Sequence, residues 1–64
     1  MKTGIIKKWD ELKGWGFIEC DDGEDYFLNI ENIRKGTTIR EGDFVKFDVF
    51  RGQRGDTAEN VTKL

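Results

Sequence analysis

A chain of 64 residues can form one domain with a small core, because one this short buries only about 60% of the surface its unfolded form exposes. Hydrophobic residues make up 36% and charged residues 38%, with 11 Lys and Arg against 13 Asp and Glu, a balance that argues against a blunt polyanion binder. No stretch approaches the ~18 apolar residues of a membrane span, and the absence of histidine with a single cysteine removes the usual zinc sites and histidine-based triads.

Taken in chain order, eight glycines separate short runs rich in β-branched and aromatic residues, which is the pattern of strands and turns. The first strand is expected over Thr3–Trp9. A turn through Glu11–Gly14 leads to a second over Trp15–Cys20. The acidic turn Asp21-Asp22-Gly23-Glu24 leads to a third over Asp25–Ile30. A longer link follows, with a short helical turn expected near Asn32 and Ile33. The fourth strand is expected over Phe44–Phe50 and the fifth over Thr57–Leu64. No segment shows ten residues of helical periodicity, and nothing divides the chain, so residues 1–64 read as one domain.

Five short strands with bare edges would invite aggregation, and a closed or nearly closed antiparallel barrel removes them. The fold class is therefore all-β, a five-stranded antiparallel barrel. Alternation along the strands assigns Ile6, Ile18, Leu28, Val45, Phe47, Val49 and Val61 to the interior, with Tyr26 and Ile39 at its margin. Cys20 falls on the inward parity and reads as inert packing. One cysteine cannot staple a secreted fold, and Met1-Lys2-Thr3-Gly4 lacks the apolar run of a signal peptide, so a cytoplasmic setting is expected.

Charge is unevenly distributed. Residues 1–18 and 33–64 each carry an excess of two bases, whereas residues 19–32 hold six acids and no base. The run Asp21–Asp25 lacks the spacing of a calcium loop and reads as a solvated turn. The same parity leaves Trp15, Phe17 and Phe27 facing outward. Such rings either cover the end of a small barrel, signal an inverted register, or form a platform on which unpaired bases stack, worth ~1–3 kcal/mol per base. Local context favours the platform. Trp15 and Phe17 share one face, Phe27 lies within cross-strand reach, the flanking glycines leave that face uncrowded, and Lys13 stands where it can meet a phosphate. Phe44 and Phe50 also fall on the outward parity, where they either cap the barrel, mark a partner site or signal a register error.

Lys13-Gly14-Trp15-Gly16-Phe17-Ile18 resembles the first ribonucleoprotein motif of the cold-shock domain family, and Asp25-Tyr26-Phe27-Leu28-Asn29-Ile30 resembles its second. Thr3–Lys7, Glu41-Gly42-Asp43 and Asn60-Val61-Thr62 are similar to its other landmarks, so the resemblance covers nearly the whole chain. It implies an oligonucleotide-binding (OB-fold) barrel that binds single-stranded RNA or DNA, with Trp15, Phe17 and Phe27 stacking on bases. It further implies that Lys7 and Lys13 contact phosphates or base edges, that Asp25 supports the sheet and offers hydrogen bonds to bases, and that Arg54 lies near the ligand. Lys8 stands where the family has a surface tryptophan, with Trp9 beside it as partial compensation. Asn29 replaces a histidine and Ile30 a stacking phenylalanine. The loop Arg34–Thr38 is about two residues short and lacks the usual aromatic.

The candidate nucleic-acid-binding residues are thus Lys7, Lys8, Trp9, Lys13, Trp15, Phe17, Asp25, Phe27, Asn29 and Arg54. Lost stacks and added cations point to a weaker binder with a shorter footprint and a larger electrostatic share. Cofactors, metals, membranes and small-molecule substrates are not expected, nor is enzymatic activity, and a monomer is anticipated. The competing reading is a small barrel adapted to binding another protein.

Overall fold

The computed structural model describes residues 1–64. Five strands, β1 (Lys2–Asp10), β2 (Trp15–Cys20), β3 (Asp25–Asn29), β4 (Phe44–Gly52) and β5 (Gly55–Lys63), close into a barrel in the order β1-β2-β3-β5-β4. Four of the contacts between neighbouring strands are antiparallel. The closing one, β3 against β5, is parallel and carries one paired position, Phe27 with Thr57. β3 stops one residue before the expected end because Asn29 caps a 3-10 turn over Ile30–Asn32, its side-chain oxygen accepting the Glu31 N–H at 2.9 Å.

The alternation predicts the interior well. Ile6, Ile18, Leu28, Val45, Phe47 and Val61 are all sealed from solvent, and Tyr26 and Ile39 lie inside rather than at the margin. Cys20 is buried, free and inward. Two differences arise. Val49, expected in the interior, is only partly buried against it, while Ala58, its partner on β5, is fully covered.

Two β-bulges interrupt the regular pairing. On β1, Ile6 pairs with Ile18 and Lys8 with Phe17, so Lys7 is an extra residue. On β5 the pairing steps from Asp48–Glu59 to Lys46–Thr62, which leaves one surplus residue near Asn60. Asn60 has φ 54° and donates its amide to Asp48 at 3.2 Å; asparagine tolerates that left-handed conformation better than most residues. The β1 bulge decides where the functional side chains point. Simple alternation from Ile6 would send Lys8 inward. The extra residue instead puts Lys8 on the outer face with Phe17 and turns Trp9 towards the interior beside Gly16.

Candidate nucleic-acid interface

Three antiparallel strands build the outer face that bears the aromatic rings. Phe17 pairs directly with Phe27, and Trp15 pairs with Asn29 on one side and Asp10 on the other. All three rings are half-buried, each resting on its neighbours. Trp15 and Phe27 lie 6.5 Å apart with planes inclined by 22°, so both present faces in nearly one direction. Phe17 stands edge-on to both, at 86° to Trp15 and 74° to Phe27. The platform is two near-parallel faces with an upright ring packed against both, an arrangement that aromatic quadrupoles favour.

Cations flank both parallel rings. The Lys8 ammonium sits 5.1 Å from the centre of Trp15, and the Arg54 guanidinium 5.2 Å from the centre of Phe27. Arg54 reaches Phe27 from the turn between β4 and β5, so residues far apart in sequence meet here. Lys7, the bulged residue, makes an ion pair with Asp25 at 2.9 Å, and that hydrogen bond and charge raise its pKa. Lys13 is exposed in the β1–β2 turn, where its backbone N–H donates to the Asp10 carboxylate at 3.0 Å. Of the ten candidate residues, Lys8, Trp15, Phe17, Phe27 and Arg54 form one contact group, and Lys7 and Asp25 a salt-bridged pair on the same strands. Asn29 lies at the edge. Trp9 is set apart, half-buried against the core, with its backbone N–H donating to the Glu41 carboxylate at 3.3 Å.

The glycines around Trp15 have a different purpose from the one expected. Gly14 and Gly16 are buried and do not lie on the aromatic face. Gly14 turns the chain at φ 75°, and a side chain on Gly16 would collide with the Lys8 backbone carbonyl at the bulge. They permit the backbone path that delivers Lys8 and Trp15 to the surface.

Two hollows open near the 3-10 turn, one of them beside Phe27. One, of about 200 Å³, is bordered by Phe27, Asn29, Phe50, Arg54 and Thr57. The other, of about 310 Å³, lies beyond the 3-10 turn between Trp9, Ile30, Ile33, Ile39 and the pair Arg34 and Lys35. Phe50, outward as its parity required, belongs to the first, so a register error is excluded. The contributions of Thr57, Ile33 and Ile39 were not visible in the sequence, because they come from barrel closure and from a segment without periodicity. Phe44 is 61% exposed and lies opposite Ile5, away from the three rings.

Comparison with known proteins agrees with this architecture. Residues 2–64 match the family described as the 'Cold-shock' DNA-binding domain. The chain is 46% identical over 66 residues to the cold shock-like protein CspLB of Listeria monocytogenes, covering 100% of both. It is 42% identical to the major cold shock protein of Streptococcus pyogenes, over 100% of this chain and 98% of that one. Among solved structures, the Drosophila Unr segment CSD456 superposes with a TM-score of 0.80 at 23% identity, covering 98% of this chain and 26% of that longer one.

Proposed function

Because the chain belongs to the cold-shock domain family, we propose that it binds single-stranded RNA or DNA by stacking unpaired bases on Trp15 and Phe27 and holding phosphates with Lys7, Lys8, Lys13 and Arg54. The observation that carries this reading is the pair of near-parallel rings on the outer face, each with a cation beside it. Asp25 positions Lys7, and Asn29 offers its amide at the edge of the smaller hollow. The module is non-catalytic and acts as a monomer in the reducing cytoplasm. Binding only the unpaired state, it shifts RNA hairpins towards their open form by mass action, as an RNA chaperone does.

Titration with an oligothymidine, followed by tryptophan emission, tests the reading. Phe27→Ala removes one of the two stacking surfaces, worth ~1–3 kcal/mol, and should weaken binding at least ~5-fold, a factor set by about 1 kcal/mol, while the circular dichroism stays that of the folded barrel. Unchanged affinity in that variant would overturn it. The alternative, a protein-binding barrel, draws on the exposed Ile5 and Phe44, which face each other across β1 and β4. It requires a partner captured despite nuclease treatment and lost with Phe44→Ala.

A further inference from the structure

The loop between the 3-10 turn and β4 is bound to β5 at its start. Ile33 bridges Val61, and the Arg34 N–H donates to the Val61 carbonyl at 2.9 Å. A turn follows, with the Thr37 N–H bonded to the Arg34 carbonyl at 3.0 Å and Gly36 at φ 87°. This anchoring sets Arg34 and Lys35 on a ridge with a hollow on either side. The first is the 310 Å³ hollow that begins at Ile30, one residue beyond Asn29, the partner of Trp15 on β3. A second, of about 420 Å³, shares Gly36, Thr37 and Thr38 with it and extends to Thr62 and Lys63. A third, of about 500 Å³, shares Thr62 and Lys63 with the second and Arg34 with the first, and reaches Lys46. Shared walls make the three one continuous course, from Trp9 over the loop to the outer surface of β4 and β5.

Its chemistry changes along the way. The first hollow has apolar walls, whereas the second has none and the third only Met1. No ring lines the latter two, so bases gain no stacking there. Cations remain. Arg34, Lys35 and Lys46 make no ion pair, and Lys63 is held by Asp43 at 3.4 Å. The carboxylates lining the course are Glu11 and Asp48, with Asp43 beside it on Lys63, and Asp48 is already engaged by the Met1 amine at 3.8 Å and by Asn60. A chain with two more acids than bases thus keeps three free cations on this one route.

We propose that single strands longer than the aromatic face continue over the 34–38 loop onto the outside of β4 and β5, where Arg34, Lys35, Lys46 and Lys63 carry their phosphates. The inference rests on the binding of bases at Trp15 and Phe27 and adds an electrostatic segment to it. That segment offsets the missing stacks by charge rather than by rings.

Two oligothymidines test it, of about five and about fourteen nucleotides, near the ends of the ~4–16 that one such barrel covers. Arg34→Gln with Lys46→Gln removes two phosphate contacts, each contributing ~0.7 to the slope of log affinity against log salt. On the long strand the slope should fall by ~1.4, and affinity in roughly 0.1 M salt by about 25-fold, while the short strand binds both proteins equally. Equal slopes on the long strand, or equal weakening on both lengths, would overturn the route over the loop. A wild type that binds the short strand and gains nothing from the long one also overturns it, and leaves the aromatic face standing. Failure of the wild type to bind either length sinks both readings. Thermal unfolding of the variant, expected unchanged because both side chains point outward, keeps a folding defect from imitating the result.

Discussion

Gly16 is a glycine because of what faces its α-carbon. The bulge at Lys7 pushes the Lys8 carbonyl towards β2, and any Cβ at position 16 would overlap it. The colliding atoms belong to backbone, which has no rotamer to escape through. Gly16→Ala is therefore an overpacking change of the costly kind and should destabilise by about 2–3 kcal/mol. In a chain of this size that corresponds to a loss of at least 8 °C in melting temperature, since ~4–8 °C accompanies each kcal/mol. A melting temperature within ~2 °C of wild type would show that β1 does not press on β2 there. The Lys-Gly-Trp-Gly-Phe-Ile run was legible as a motif, yet the reason for its glycines was not. The sequence displays which residues flank Trp15 but not which distant backbone lies against them. The same bulge hid the fate of Lys8 and Trp9, because strict alternation of two has no place for an extra residue.

Among the elements, the β2–β3 turn shows how an acidic run becomes a fixed structure. Asp22 accepts the Glu24 N–H at 2.8 Å, the Tyr26 hydroxyl at 2.8 Å and the Lys2 ammonium at 3.1 Å, tying the turn to β1. The Glu24 N–H and then the Tyr26 hydroxyl, with a smaller part from Lys2, hold its carboxyl well below the usual carboxylate range against an opposing desolvation. In return, the bond to Asp22 raises the pKa of both Tyr26 and Lys2. A carboxyl depressed on folding stabilises the native state above its unfolded pKa, near 3.9, and loses that contribution as pH falls towards its folded value. The raised tyrosine and lysine act oppositely: their contribution is complete below about pH 10 and is lost above it. Asp22→Asn should lower the urea midpoint at neutral pH, and the two proteins should converge as the solution is acidified below about pH 4. A constant gap between them down to about pH 2 would refute the assignment. The acidity of this turn was plain in the sequence. Its partners were not, because Lys2 lies twenty residues away and Tyr26 reaches it with a hydroxyl that the burial of its ring conceals.

Closure of the whole molecule depends on its least paired seam. β4 and β5 run together from Val45–Lys63 to Gly52–Gly55, whereas β3 meets β5 at Phe27–Thr57 alone, helped by the bridge from Ile33 to Val61. Five strands with protected edges could be anticipated from strand count and aggregation risk. Which pair would close the barrel, and in which direction, could not, since that follows from the long link over residues 33–43 rather than from any strand's own pattern. The seam also passes beneath the aromatic face. Phe27 belongs to it, and Arg54, over that ring at 5.2 Å, comes from the hairpin on its far side. A strand stacked on Phe27 and held by Arg54 therefore spans both edges and opposes their separation. Free protein should exchange its amide hydrogens fastest, among the strands, around Phe27 and Thr57, because one parallel bridge protects less than an antiparallel ladder. Oligothymidine at about 100 times its dissociation constant should add ~2.7 kcal/mol to global stability, or roughly 10–20 °C in melting temperature. Beyond that global gain, it should slow exchange at the seam more than within the β1–β4 ladder, which has no residue on the rings. Protection that rises equally in both places would mean that the ligand stabilises the barrel without bridging its closure.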